Sequence, residues 1–100
     1  MKIYFIGDSM LPTLPRRCYI DVHFFGKSEN KNLKNGDIVV YRSKGFNRDG
    51  KPSIWHKGKC VHRIVKLNAA YAMIKGDNRD YVEHVEIKDI LGVMISSNIK

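Results

Sequence analysis

Residues 18–25 read Cys-Tyr-Ile-Asp-Val-His-Phe-Phe, and the alternation within this stretch decides the fold class. Cys18, Ile20, Val22 and Phe24 fall on one side of the chain, and the residues between them fall on the other. A period of two residues is that of a β-strand, whose successive side chains point to opposite faces of a sheet. The stretch therefore predicts a strand that packs one face against a core.

The same period recurs on both sides of this stretch, whereas helical periodicity is weak throughout the chain. Further strands are predicted at Lys2 to Ile6, Ile38 to Tyr41, Cys60 to Leu67, Tyr71 to Lys75 and Leu91 to Ser96. The three-residue link at 68–70 predicts that the strands on either side of it form a hairpin. Residues 85–90 are predicted to form a short turn or an edge segment. The sequence therefore predicts a mainly β protein.

One segment between the predicted strands is rich in residues that favour turns. Residues 43–53 contain Gly, Lys, Asn and Asp, and Pro52 stands near their end. Such residues disfavour regular structure. We therefore predict a flexible surface loop at 43–53.

Length and composition indicate one globular domain over residues 1–100. Hydrophobic residues make up 43% of the chain and charged residues 28%, an ordinary balance for a folded domain. No apolar run approaches the roughly 20 residues of a membrane helix, and the apolar N-terminal segment is too short for a secretion signal. We therefore expect a protein that is cytoplasmic or peripheral at a membrane, with Cys18 and Cys60 reduced rather than paired.

Three short segments carry the residues of a candidate active site. Residues 7–12, Gly-Asp-Ser-Met-Leu-Pro, hold Ser9 between a predicted strand end and a proline-bearing turn. His62 lies in a predicted strand, and Asp77 and Asp80 lie in the turn that follows the next strand. Serine becomes a nucleophile when a neighbouring base accepts its proton, and histidine is the usual base because its pKa lies near working pH. The predicted hairpin would bring the aspartates near the start of the histidine strand, where one of them could orient the ring.

Each of these residues, taken singly, has an ordinary structural interpretation. A serine beside aspartate and proline is most often a turn former, and a histidine within a strand is most often packed or at the surface. The sequence Gly-Asp-Asn at 76–78 is usually only a turn. The functional prediction therefore depends on the combination of the segments.

Five short blocks, taken in order, resemble the signal peptidase family of serine proteases. They are Gly-Asp-Ser-Met-Leu-Pro-Thr-Leu at 7–14, Gly-Asp-Ile-Val-Val at 36–40, His-Arg-Ile-Val at 62–65, Lys-Gly-Asp-Asn-Arg-Asp at 75–80 and Ile-Leu-Gly at 90–92. The resemblance covers most of the chain. It implies a single small catalytic domain, mainly β, built of coiled antiparallel sheets and similar also to the self-cleaving repressor proteases.

The resemblance implies a catalytic role for individual residues. The family includes a type with lysine before the arginine of the third block and a type with histidine there, and His62 before Arg63 indicates the histidine type. Ser9 would attack the peptide carbonyl, and His62 would accept the hydroxyl proton. Asp77, and after it Asp80, would orient or stabilise His62.

The resemblance also implies a substrate and partners. Substrates of the family bind as an extended strand and are cut after small side chains, which matches addition of a strand to a sheet edge. Met10 and Pro12 would contact the substrate, and the backbone N–H of Ser9 would help bind the oxyanion. No metal and no cofactor are expected. The expected partners are a leader-like or signal-like peptide and a membrane-anchored protein or an anionic membrane surface.

Three features depart from the family pattern. The family normally has a membrane helix or another anchor ahead of the serine block, whereas one short predicted strand precedes Ser9 here. Gly7 stands where some members carry a serine that helps bind the oxyanion. The usual late aspartate of the fourth block is missing, and residues 81–84 read Tyr-Val-Glu-His. Cleavage at a membrane would therefore require a partner or the basic surface for recruitment.

A non-catalytic binding module on the same fold is the main alternative. The formal net charge of +8 attracts nucleic acid, anionic membranes or acidic proteins, although it also fits a merely solvated basic surface. Tyr41, Phe46 and Trp55 flank the basic loop and could stack on single-stranded nucleic acid. Salt-dependent binding without cleavage would favour this alternative.

Two further alternatives concern the residues around the histidine. Lys59 or Lys66 could serve as the base instead, but a lysine base needs burial to lower its pKa. His56, Cys60 and His62 are ligand types that zinc accepts, but their spacing matches no zinc pattern.

Overall fold

The computed structural model describes the backbone of residues 1–46 and 52–98, and the side chains of residues 1–43 and 59–95. The protein is mainly β, as the alternation of its sequence predicts. Within the described ranges the elements are β1 (Lys2–Ile6), β2 (Arg17–Phe24), β3 (Ile38–Phe46), β4 (Pro52–Leu67), β5 (Tyr71–Lys75), β6 (Glu83–Glu86), the 3-10 helix η1 (Ile87–Asp89) and β7 (Ile90–Asn98). Every predicted strand is present, and the segment 85–90 contributes to β6 and η1.

The seven strands form one antiparallel sheet in the order β1-β2-β7-β3-β4-β5-β6. The predicted hairpin is confirmed, because β4 pairs with β5 and Arg63 lies opposite Lys75. The last strand of the chain, β7, lies between β2 and β3 and joins the two halves of the sheet. β1 and β6 are the two edge strands.

Two clusters of buried side chains pack against the sheet and meet at β3. One cluster contains Phe5, Met10, Leu14, Cys18, Ile20, Val22, Ile38 and Val40, and the other contains Val39, Tyr41, Ile64, Ala72, Ile74, Val85 and Ile90. Because successive residues of a strand point to opposite faces, β3 contributes alternate side chains to the two clusters. The unbroken apolar run at 38–41 therefore reflects a strand that is covered on both faces.

The half of the sheet from β3 to β6 curls strongly. In a flat sheet, strands three positions apart would be separated by about 14 Å. The Tyr41 hydroxyl on β3 nevertheless lies 2.7 Å from the carboxylate of Glu83 on β6. Curling of the strands, in the sense of the usual sheet twist, brings the β6 edge of the sheet toward β3.

Strands β3 and β4 extend into the segment that was predicted as a loop. The prediction at 43–53 was wrong for both ends, because residues 43–46 continue β3 and residues 52–53 begin β4. Backbone pairing does not require apolar side chains, and the pairing of these strands runs from Ile38 opposite Arg63 to Phe46 opposite Pro52. Residues 47–51, in the centre of the predicted loop, lie outside the described residues.

Two observations concern the membrane and the thiols. Among the described residues, the structure has no helix of the length and apolarity needed to cross a bilayer. Cys18 and Cys60 form no disulfide within the described residues, and the first is buried and the second half-buried. Burial raises the pKa of both thiols.

Candidate active site

Ser9 lies in the segment 7–16 between β1 and β2, which we call the Ser9 turn. Gly7 has a φ of 147°, which residues with side chains rarely adopt, so a serine at this position would be strained. Further along the turn, the N–H of Leu14 donates to the carbonyl of Met10 at 2.9 Å, and both side chains are fully buried. These two side chains anchor the turn on the first core cluster, while Ser9 remains half-buried at the surface.

The 76–80 loop, which follows β5, holds the Ser9 turn by hydrogen bonds. The N–H of Asn78 donates to the carbonyl of Ser9 at 2.8 Å, and its side-chain amide donates to the carbonyl of Asp8 at 3.0 Å. The guanidinium of Arg79 lies 2.6 Å from the carboxylate of Asp8 and lowers the pKa of that carboxyl group. The turn is therefore held through its backbone directly beside the candidate nucleophile.

Gly76 is the point at which the Ser9 turn and His62 come together. A Cβ on Gly76 would stand 2.7 Å from the carbonyl oxygen of Ser9 and 3.2 Å from Cδ2 of His62. The Ser9 carbonyl oxygen and the His62 Cδ2 atom are thus both close to the buried Gly76. The Cδ2 atom is bonded to Nε2, so this edge of the imidazole lies beside Gly76, which also borders the Ser9 carbonyl.

The opposite edge of the His62 ring faces Tyr41. His62 is 9% exposed, and its Nδ1 lies 2.8 Å from the Tyr41 hydroxyl oxygen. The hydroxyl donates to Oε1 of Glu83 at 2.7 Å, and the Ser43 hydroxyl donates to Oε2 of the same carboxylate at 2.9 Å. Burial, and after it the charge of Glu83, raises the pKa of Tyr41 far above its ordinary value. Tyr41 therefore stays protonated at neutral pH.

Ser9 and His62 line one cavity of about 660 Å³. Side chains of the edge strand β1 form one wall, and residues 59–62 of β4 with Arg79 and Tyr81 contribute others. Within the described part of the chain, the Ser9 hydroxyl makes no hydrogen bond with His62. Proton transfer would therefore require the Ser9 hydroxyl to move toward the His62 ring.

Asp77 pairs with Arg63 rather than facing the Nδ1 edge of the His62 ring. It accepts hydrogen bonds from Nε of Arg63 at 2.8 Å and from the Thr13 hydroxyl at 2.6 Å. The Arg63 guanidinium lowers the pKa of Asp77, and Asp77 raises the pKa of Arg63. Asp77 thus ties the Ser9 turn to β4, and the group at Nδ1 of His62 is Tyr41. Asp80 is exposed at the end of the same loop.

The two residues predicted to contact substrate differ in their exposure. Met10 is fully buried, and its sulfur accepts a hydrogen bond from the N–H of Asp77 at 3.4 Å. A side chain without exposed surface cannot touch a peptide in this conformation, so the prediction for Met10 is corrected to a role in the core. Pro12 is exposed in the Ser9 turn and follows a cis peptide bond.

Sequence reasoning missed the contact between Tyr41, Glu83 and His62. Tyr41 directly follows the second block, at the end of the apolar run 38–41, and this position indicates only a strand residue. Glu83 lies in the stretch 81–84, where the family pattern would have a late aspartate nearby. A carboxylate in that stretch was the available signal, but its contact with a residue 42 positions away depends on the curl of the sheet.

Comparisons of the chain with protein-family models, with curated proteins and with solved structures found no match. Among the described side chains, no group of three or more His, Cys, Asp or Glu residues is arranged to hold a metal ion. His56, one member of the zinc alternative, lies outside those side chains. Function is therefore inferred from the residues and the geometry of this site.

Proposed function

We propose that this protein is a serine endopeptidase of the signal-peptidase type, with Ser9 as nucleophile and His62 as general base. One observation carries the proposal: the Ser9 turn and the His62 ring meet at Gly76 and line the same cavity. A serine needs a neighbouring base to become nucleophilic, and a half-buried Ser9 that shares a cavity with a buried imidazole supports that pairing.

The proposed reaction follows from these two side chains. The oxygen of Ser9 attacks the carbonyl carbon of the peptide bond while Nε2 of His62 accepts the hydroxyl proton. The imidazolium then gives this proton to the leaving amine, and an acyl ester on Ser9 remains. Water, deprotonated by the same imidazole, hydrolyses the ester and restores the serine.

The oxyanion of the tetrahedral intermediate needs hydrogen-bond donors. The N–H of Ser9 has no acceptor within the described part of the chain, which supports its assignment as one donor. A serine two residues earlier is disfavoured as a further donor, because the φ of 147° at Gly7 would strain a residue with a side chain. Loss of one such donor typically slows a reaction by about 10² to 10³-fold, so a backbone-only arrangement is consistent with a slow enzyme.

The proposed substrate is an extended leader-like or signal-like peptide that is cut after small side chains. The cavity borders β1, and no strand of the described residues pairs with the outer edge of β1. An extended peptide could use such an edge for backbone hydrogen bonds. A membrane-anchored partner or an anionic membrane would present this substrate.

The direct test is replacement of the nucleophile. Ser9→Ala should abolish cleavage of signal-like peptides and covalent labelling by a fluorophosphonate, because the attacking oxygen is removed. His62→Ala should slow both reactions by about 10² to 10⁴-fold, the usual contribution of a general base. Mass spectrometry of the labelled protein identifies the residue that carries the fluorophosphonate label.

Ser28→Ala is the matched control, because Ser28 is exposed and outside the cavity. It should be labelled and should cleave like the unchanged protein. Cleavage that persists in Ser9→Ala, or a label on a different residue, would remove the proposal.

A second candidate function is non-catalytic binding to an anionic membrane surface. The exposed rings of Tyr4 and Tyr19 pack at a centroid distance of 4.9 Å, and Ile6 is exposed beside them. Arg17 lies opposite Ile6 on the same face of β1 and β2. The nucleic-acid version of this alternative loses one support, because Tyr41 is fully buried and cannot stack on a base.

A further inference from the structure

The single proton of the Tyr41 hydroxyl is already committed. The hydroxyl donates it to Oε1 of Glu83 at 2.7 Å, and burial keeps the hydroxyl protonated. A phenol has one proton and can also accept a hydrogen bond. The 2.8 Å contact with Nδ1 of His62 is therefore one in which the imidazole N–H donates and the tyrosine oxygen accepts.

Glu83 is held in the orientation that this arrangement requires. Its second carboxylate oxygen accepts the hydroxyl of Ser43 at 2.9 Å, so both oxygens act as acceptors. An ionised carboxylate is an acceptor only, and it cannot return a proton to Tyr41. The direction of hydrogen bonding thus runs from His62 through Tyr41 to Glu83.

We propose that Tyr41 and Glu83 are positioning residues that keep neutral His62 protonated at Nδ1, with its lone pair at Nε2. Nε2 is bonded to Cδ2, and Cδ2 lies 3.2 Å from the Cβ position of Gly76, which is itself 2.7 Å from the Ser9 carbonyl oxygen. This inference rests on the proposed serine protease function, since it supplies the tautomer that a general base needs. In neutral histidine, the hydrogen bond at one nitrogen decides which nitrogen can accept a proton.

Tyr41 and Glu83 would also stabilise the positive charge that forms on His62 during the reaction. When His62 accepts the Ser9 proton it becomes a buried cation, which is costly without a nearby anion. Glu83 supplies the negative charge one hydroxyl away. Asp77 cannot take this place in the observed arrangement, because its carboxylate is engaged by Arg63 and Thr13.

The test measures the tautomer and the reactivity of Ser9 separately. ¹⁵N NMR of the imidazole in the unchanged protein should show the proton of neutral His62 on Nδ1. Tyr41→Phe removes only the hydroxyl oxygen and should shift the neutral ring toward the Nε2-protonated form. It should also slow fluorophosphonate labelling of Ser9 about tenfold or more, since the wrong tautomer cannot accept the proton.

Glu83→Gln provides a second variant of nearly the same shape. It should slow labelling and move the midpoint of the pH–rate profile to lower pH, because the imidazolium loses a nearby negative charge. Tyr71→Phe is the control, since Tyr71 is an exposed ring on β5 that contacts His84. It should leave the His62 tautomer and the labelling rate unchanged.

The outcomes separate the two proposals. An Nε2-protonated ring in the unchanged protein, or a Tyr41→Phe variant with the original tautomer and labelling rate, would overturn the positioning role. An unchanged protein that shows the predicted tautomer while Ser9 resists labelling would instead count against the protease function. Two-dimensional amide spectra of each variant report whether the fold is retained.

Discussion

At Gly76 the space for a side chain is already occupied by the carbonyl of Ser9 and the ring of His62. The backbone of the 76–80 loop can approach the Ser9 turn this closely only because no Cβ intervenes. A glycine in a turn is usually explained by its conformational freedom, and Gly-Asp-Asn was interpreted from sequence in that way. Here the absence of a side chain serves the packing of two candidate site residues.

Gly76→Ala should therefore lower both stability and the reactivity of Ser9. Its Cβ would stand 2.7 Å from a backbone oxygen, which cannot move aside as a flexible side chain can. Overpacking of this kind typically costs about 1–3 kcal/mol of unfolding free energy. Thermal unfolding and the fluorophosphonate labelling rate measure the two effects.

Gly26→Ala is the matched control, because Gly26 is exposed and its nearest atom would be a flexible Glu29 oxygen at 3.7 Å. It should change neither quantity appreciably. If Gly76→Ala matches this control in both measurements, the close approach at Gly76 does not constrain the site.

At the scale of elements, the 76–80 loop connects the Ser9 turn to the strand that carries His62. Arg63 on β4 and Thr13 in the Ser9 turn both donate hydrogen bonds to the carboxylate of Asp77. Because β4 and β5 pair as a hairpin, the loop after β5 lies beside His62 and Arg63. That proximity was predictable from the sequence, whereas the choice of Arg63 as the partner of Asp77 was not.

The Asp77–Arg63 pair should contribute to stability in a pH-dependent manner. The hydrogen bond with Arg63 lowers the pKa of Asp77 below its ordinary value of 3.8, so the ionised form stabilises the folded state. This contribution is present above pH 3.8 and is lost as the pH falls through the lower pKa of the folded protein. Asp77→Asn should be less stable at neutral pH and should lose less additional stability under acid.

Urea unfolding between pH 2 and pH 7 measures this difference, with about one pH unit between points. Asp21→Asn is the control, because the carboxylate of Asp21 pairs with the N-terminal ammonium at the exposed surface, where an ion pair contributes little stability. If Asp77→Asn and the unchanged protein lose the same stability between pH 7 and pH 2, the pair makes no pH-dependent contribution.

At the scale of the whole molecule, a basic chain exposes apolar side chains beside the cavity. The chain carries a net charge of +8, and Tyr4, Ile6 and Tyr19 are 49%, 68% and 52% exposed on one face of β1 and β2. Tyrosine suits a membrane interface, where its ring meets the acyl boundary and its hydroxyl meets water. β1 also forms a wall of the cavity that contains Ser9. A membrane bound at this face would therefore lie close to the candidate site.

The protein should bind vesicles that contain anionic lipid more strongly than neutral vesicles, and this binding should weaken as salt is raised. Replacing both Tyr4 and Tyr19 with serine should weaken it further, because the exposed rings are removed. Vesicle co-sedimentation provides the measurement, and Tyr71→Ser, on the distant strand β5, is the control. Equal affinity for neutral and anionic vesicles would contradict the prediction.

The sequence by itself determined the strands, the β4–β5 hairpin and the choice of Ser9 and His62 as candidate residues. The strands and the hairpin follow from period-two alternation and turn residues, and Ser9 and His62 follow from short motifs that occur in a characteristic order along the chain. Tertiary structure alone decided that Tyr41 and Glu83 reach His62, that Asp77 pairs with Arg63, and that Met10 is buried. Those contacts join residues 14 to 67 positions apart, so they depend on strand register and on the curl of the sheet, which no local pattern encodes.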